Sequence, residues 1–146
     1  MKVVVQRVSE ASVKIDDKVS GSIKRGLLLF IAVHRNDSDE QMKWVADKCC
    51  RLRIFEDENG KMNRSIEDVG GKLLIVSQFT LYGKVAKGSR PSFIHSAGSE
   101  KAEKMYHKMI AYMEKTLPGK IQTGVFAANM KVSLVNDGPV TIIIER

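Results

Sequence analysis

The chain has 146 residues, 43% hydrophobic and 28% charged, which are the proportions of one globular domain rather than a disordered or fibrous segment. Its 24 basic and 17 acidic residues leave a net charge of +7, which favours a polyanionic partner by attraction and counterion release. The longest apolar run, Leu27 to Val33, is far too short to span a bilayer, and Met1 to Val8 lacks the long apolar core of a secretory signal, so a cytoplasmic protein with no membrane association is expected.

Lys2 to Val8 is rich in β-branched residues and predicts a strand. Ser12 to Ile15 and Lys18 to Ile23 predict a hairpin across Asp16-Asp17. Gly26 then opens a continuous apolar run, Leu27 to Val33, the pattern of a strand buried on both faces. Ser38 and Gln41 have capping-box spacing, and Met42, Val45, Ala46 and Cys49 repeat at helical intervals behind them. Arg51 to Phe55 leaves this helix toward a strand, and Glu56 to Gly60 is a turn by composition. Gly70-Gly71 is a second break, followed by a buried strand from Lys72 to Val76 and then Ser77-Gln78-Phe79-Thr80-Leu81. Tyr82 to Ser92 is a basic loop. A second helix begins near Ser99, carries one apolar face from Ala102 to Met113, and stops at Pro118-Gly119. Two last strands, Lys131 to Val135 and Val140 to Ile144, are joined by Asn136-Asp137-Gly138-Pro139.

Strands outnumber helices and the connections are short, so the expected class is mixed α/β. A single compact domain over residues 1–146 is expected, with largely antiparallel sheets, two main helices and strands forming a barrel-like core. Cys49 and Cys50 are the only cysteines. Adjacent Cα atoms lie about 3.8 Å apart, below the roughly 4.4–6.8 Å a disulfide needs, so core packing in a reducing compartment is the simplest reading. His34, His95 and His107 show no ligand spacing, and neither a metal nor another cofactor is expected.

Three segments have the residue types that chemistry needs. In Ser77-Gln78-Phe79-Thr80 two hydroxyls and an amide cluster at a strand end, and strand alternation would put Gln78 and Thr80 on one face. A hydroxyl nucleophile requires a base, and the segment has none, so the alternative is a strand end that satisfies its own backbone. In Lys87-Gly88-Ser89-Arg90-Pro91 two cations flank a flexible glycine, which suits either a phosphate-gripping loop or a solvated turn. Asn136-Asp137-Gly138-Pro139 reads as a hairpin turn, with a cis Gly-Pro bond as the rarer alternative.

These segments, with Gln6-Arg7-Val8, Gly26-Leu27-Leu28, Arg90-Pro91-Ser92-Phe93 and Phe126-Ala127-Ala128-Asn129-Met130, resemble the D-aminoacyl-tRNA deacylase family over nearly the whole chain. The resemblance implies hydrolysis of the ester between a D-amino acid and tRNA, a chiral proofreading step, with glycyl-tRNA as a side substrate. It implies a homodimer with the active site at the interface, where Ser77, Gln78, Phe79 and Thr80 line the pocket. A cis Gly138-Pro139 from the neighbouring copy would enter that pocket and select chirality. Phe126 and Met130 are implied near the 3′-terminal adenosine, and Lys87 and Arg90 are candidate tRNA phosphate contacts. Thr80, without an evident base, is expected to position substrate rather than attack it. The competing reading is a non-catalytic tRNA-binding or editing-accessory module of the same fold.

Overall fold

The computed structural model describes residues 1–146. Eight strands and two α-helices follow one another along the chain. The long strand β1 (Lys2–Ile15) is the organiser. It pairs antiparallel with β2 (Lys18–Ile23), β3 (Gly26–Ala32) and β8 (Lys131–Glu145). Its length lets its two halves serve different neighbours: Lys2 to Val8 face β3, while Ala11 to Ile15 face β2. The expected hairpin is present, with Asp16 and Asp17 at φ 47° and 62° in its turn. The two strand segments read from the N-terminal sequence are one continuous strand.

Antiparallel pairing does not extend to the whole sheet. β3 pairs parallel with β6 (Lys72–Ser77), and β6 pairs parallel with β7 (Ile121–Thr123). The connections explain this, because α1 (Asp39–Arg51) lies between β3 and β6 and α2 (Ser99–Thr116) between β6 and β7. A helical crossover returns the chain to the same end of the sheet and makes the next strand parallel. A small antiparallel pair, β4 (Phe55–Glu56) with β5 (Met62–Arg64), sits apart from the main sheet.

At the far edges β2 approaches β7, where the Ser20 hydroxyl donates to the Thr123 carbonyl at 3.4 Å, so the sheet nearly closes into a barrel. One core lies between the sheet and both helices and includes Val3, Leu27, Leu29, Ile75, Met109 and Cys49. A smaller core fills the barrel itself with Val8, Val13, Leu28, Leu74 and Val76. The β3 run is therefore buried on both faces, and each fully buried leucine stabilises the fold by about 1.5–3 kcal/mol. Gly26 starts it for a reason of space: a Cβ there would lie 1.9 Å from the Lys72 carbonyl oxygen.

Helix α1 starts as its sequence predicts. The Ser38 side chain accepts from the Gln41 N–H, and the Gln41 side chain accepts from the Ser38 N–H. Cys49 and Cys50 are free and buried on its inner face, and desolvation pushes both thiols up, Cys50 to about 11. Buried Asp37 is satisfied by the Met1 ammonium at 2.6 Å and the His34 N–H at 2.7 Å. No helix is long and apolar enough to cross a membrane.

Two expectations about local structure fail. The C-terminal segment is not two strands around a hairpin turn but one strand, β8, paired along β1 with irregular register near Val8. Asn136 to Pro139 form an outward bulge in it, and the Gly138-Pro139 bond is cis. The alternation expected for Ser77 to Thr80 ends at Ser77, because Phe79–Tyr82 is a 3-10 turn.

Candidate active site

The parallel strands β3 and β6 end side by side, with Ile31 opposite Ser77. The chain then turns sharply, Gln78 donating its N–H to the Ile31 carbonyl at 2.7 Å. Above these strand ends lies a cavity of about 530 Å³, lined mainly by apolar side chains. Ser77 and Gln78 give it polar groups with Phe79 beside them, the start of α2 contributes Ser99 and Ala102, and Phe126 and Met130 close it from the β7–β8 connection. Ligand pockets commonly sit at such carboxyl ends of parallel strands and combine an apolar lining with a few placed polar groups.

Each wall is fixed by packing that the sequence does not reveal. Phe79 is half exposed, yet its ring meets Phe93 edge-on at 5.0 Å, and its carbonyl accepts from the Ser96 hydroxyl at 3.0 Å. Phe126 lies 5.9 Å from the Tyr106 ring, whose hydroxyl donates to the Ile75 carbonyl at 2.8 Å. Met130 sits against Gly124, where a Cβ would come within 2.5 Å of its sulfur.

The 3-10 turn begins at Phe79, on the cavity wall. The first N–H groups of a helix have no acceptor within it. Neither Phe79 nor Thr80 donates its N–H to a loop, turn or side-chain acceptor elsewhere, since the turn's bonds begin with the Leu81 N–H to the Gln78 carbonyl. The Gln78 amide nitrogen donates a short hydrogen bond to the Thr80 hydroxyl. No histidine or carboxylate hydrogen-bonds that hydroxyl. No set of three or more His, Cys, Asp or Glu side chains converges to hold a metal.

The expected site residues thus divide. Ser77, Gln78, Phe79, Phe126 and Met130 line one cavity, with Thr80 beside them on the same turn. Gly138 and Pro139 do not line it. Their bulge lies level with Arg7 and Leu27, four residues along β3 from Ile31, or about 13 Å at the strand rise. Lys87 and Arg90 lie in the exposed loop that an antiparallel bridge between Lys84 and Ser92 closes, outside the cavity.

Arg7 is the residue that sequence reasoning undervalued. Its guanidinium is buried beneath the bulge, donating to the Ile54 carbonyl at 2.8 Å and the Asp137 carbonyl at 3.1 Å. The Asp137 carboxylate lies 3.3 Å away and Glu56 lies 3.7 Å away. Gly138 rests on it: a Cβ there would fall 2.7 Å from the Arg7 Nη2, and φ is +116°, a conformation that favours glycine. The signal was a lone cation inside a valine-rich strand, which buried packing normally excludes unless it is paired.

The model of the D-Tyr-tRNA(Tyr) deacylase family matches residues 4–145. The chain belongs to this family. Relatives named D-aminoacyl-tRNA deacylase include one from Thermotoga petrophila, 52% identical over 99% of this chain and 97% of its own. Another, from Flavobacterium psychrophilum, is 49% identical over 99% of this chain and 97% of its own. A solved structure described as the c-Myc DNA unwinding element binding protein superposes with a TM-score of 0.95 at 39% identity, covering 100% of this chain and 99% of that one. A second, described as a probable eukaryotic D-amino acid tRNA deacylase, has a TM-score of 0.84 at 18% identity over 98% of this chain and 97% of that one, and so speaks to the fold.

Proposed function

We propose that this protein hydrolyses the ester bond of D-aminoacyl-tRNA, releasing the D-amino acid and the tRNA. The observation that carries the reading is the family match over nearly the whole chain, with the Ser77-Gln78-Phe79-Thr80 turn at the mouth of a cavity large enough for an aminoacyl-adenosine. In this reading Phe126 and Met130 hold the terminal adenosine against an apolar wall. The ester carbonyl faces the N–H groups of Phe79 and Thr80. Two such donors aimed at a developing oxyanion supply roughly 3–4 kcal/mol each.

Thr80 positions the substrate. Its hydroxyl accepts from an amide and has no base to take its proton, which makes it a poor nucleophile. Water attacks the carbonyl carbon with the adjacent 2′-hydroxyl of the terminal ribose assisting. The acyl–oxygen bond breaks, and the ribose oxygen takes up the proton. Orientation in a fixed pocket contributes several kcal/mol by itself.

The active unit in this reading is a homodimer. Gly138 and Pro139 stand away from their own cavity on an exposed bulge, so a second copy is needed to bring them to it. A two-fold interface would give each pocket the neighbour's bulge. There the backbone of Gly138 and the proline ring act as a wall near the α-carbon, closing the direction in which an L side chain leaves. Glycine has no side chain to exclude, so glycyl-tRNA is a side substrate. In this reading Lys87 and Arg90, on an exposed loop, meet tRNA phosphates, and the cytoplasm, where charged tRNA is used, is the expected compartment.

Incubation with D-tyrosyl-tRNA tests the reading. Enzyme-dependent loss of the ester supports it. Tight binding with the ester intact supports a non-catalytic tRNA-binding module of the same fold.

A further inference from the structure

On the outer wall of the barrel, Ser12 of β1 is the register partner of both Ser22 on β2 and Ser133 on β8. Three hydroxyls therefore stand in one row across three adjacent strands. Residues two apart share a strand face, so Glu10 precedes Ser12 on this same surface, and Lys24 and Arg25, in the bend that follows β2, line the same concavity. Lys72 joins from the start of β6, its N–H donating to the Arg25 carbonyl at 3.3 Å. These side chains line a concavity of about 760 Å³, larger than the candidate active-site cavity.

Most of the polar groups in this concavity are unspent. Serine side-chain hydrogen bonds in the chain are made by Ser20, Ser38, Ser65 and Ser96, not by the row. Lys24, Arg25 and Lys72 are exposed and enter none of the ion pairs, though the Arg25 guanidinium lies over the Phe55 ring at 5.6 Å. Three cations face one carboxylate, Glu10, so like charges repel until an anion arrives. Neutral hydroxyls beside cations suit phosphodiester and ribose oxygens. A lipid surface would call for a band of exposed apolar side chains, and Val135 alone among the exposed lining residues is apolar.

We propose that this wall is a second tRNA contact, in which Lys24, Arg25 and Lys72 hold backbone phosphates of the acceptor arm and the serine row hydrogen-bonds their oxygens. The inference rests on the tRNA-directed function above. Ser133 and Val135 run directly into the Asn136–Pro139 bulge on β8. In the dimer reading that bulge enters the neighbouring pocket, so the wall borders the mouth through which that pocket's substrate enters.

The test is a triple variant, Lys24→Gln, Arg25→Gln and Lys72→Gln, with Lys43→Gln, Lys48→Gln and Lys115→Gln as a control for equal charge loss on the helices. Binding of uncharged, fluorescently labelled tRNA is followed by anisotropy across a salt series. The wall variant should bind at least tenfold more weakly at low salt, with a slope of log Kd against log salt reduced by about 2, at roughly 0.7–0.9 per phosphate released. Its hydrolysis of D-tyrosyl-adenosine, which has no acceptor arm, should match the parent. An unchanged Kd and slope overturn the proposal, and so does an equal effect in the control. A wall variant whose mass by light scattering falls to the monomer also overturns it, because the wall would then be a subunit contact. Because the probe is uncharged tRNA, the binding result stands even if the parent cleaves no D-aminoacyl ester, an outcome that would sink the deacylase reading instead.

Discussion

Thr80 carries an aliphatic hydroxyl that chemistry could recruit as a nucleophile, and its environment argues against that use. It accepts from the Gln78 amide and has no acid or histidine partner. Thr80→Ala should therefore keep at least a tenth of the parent kcat, whereas a tRNA ending in 2′-deoxyadenosine should lose 100-fold or more. A folded, tRNA-binding Thr80→Ala protein with no turnover would restore the nucleophile. Arg7 has the opposite profile, absent from its own cavity and buried under the bulge. Arg7→Ala leaves the Ile54 and Asp137 carbonyls without their donor, and an unsatisfied buried group costs about 1–3 kcal/mol. Denaturant unfolding should show about 2–4 kcal/mol of lost stability, and kcat should fall with KM little changed. Arg7→Lys should rescue little, since an ammonium cannot span both carbonyls. A fully active Arg7→Ala protein would remove Arg7 from the positioning of Gly138.

At the scale of elements, α1 gives a pH dependence. Desolvation raises the Cys50 thiol from its ordinary value near 9 to about 11, and Cys49 moves up for the same reason. The folded state thus holds a proton that the unfolded state releases first. Stability from this source is complete below pH 9 and is lost as pH rises toward 11, by about 2 kcal/mol for Cys50. Unfolding midpoints from pH 8 to 11 should fall, and Cys50→Ala should flatten the curve. An identical slope in Cys50→Ala would place the alkaline loss elsewhere. The same helix was legible in the sequence because its information is local: a capping box followed by apolar residues at helical spacing. The two misread segments depend on distant partners. Asn136 to Pro139 have the composition of a hairpin turn, but β1 is long enough to pair on both sides of them, and Arg7 beneath supplies the contacts of the bulge. Ser77 to Thr80 continue a strand by pattern, yet β3 ends opposite Ser77 and leaves nothing further to pair with. Phe126 and Met130 joined the site through the resemblance alone, since their placement depends on Tyr106 and Gly124 far away in sequence.

For the whole molecule, the proposed shared pocket would make assembly part of function, because the bulge lies away from its own cavity. Light scattering at micromolar concentration should give twice the 16.3 kDa chain mass, and a monomer with full activity would contradict the shared-pocket account. In the proposed function the basic surface serves encounter with tRNA, and the pocket serves discrimination. D and L forms of one aminoacyl-tRNA carry the same side chain and the same phosphates, so neither charge nor side-chain recognition separates them. A wall near the α-carbon does, because its effect is steric. Chiral selection by this wall is measured by comparing kcat/KM for D-tyrosyl-tRNA and L-tyrosyl-tRNA under identical conditions. The D ester should be preferred by at least 100-fold. Equal cleavage of both, or cleavage of neither, would contradict it.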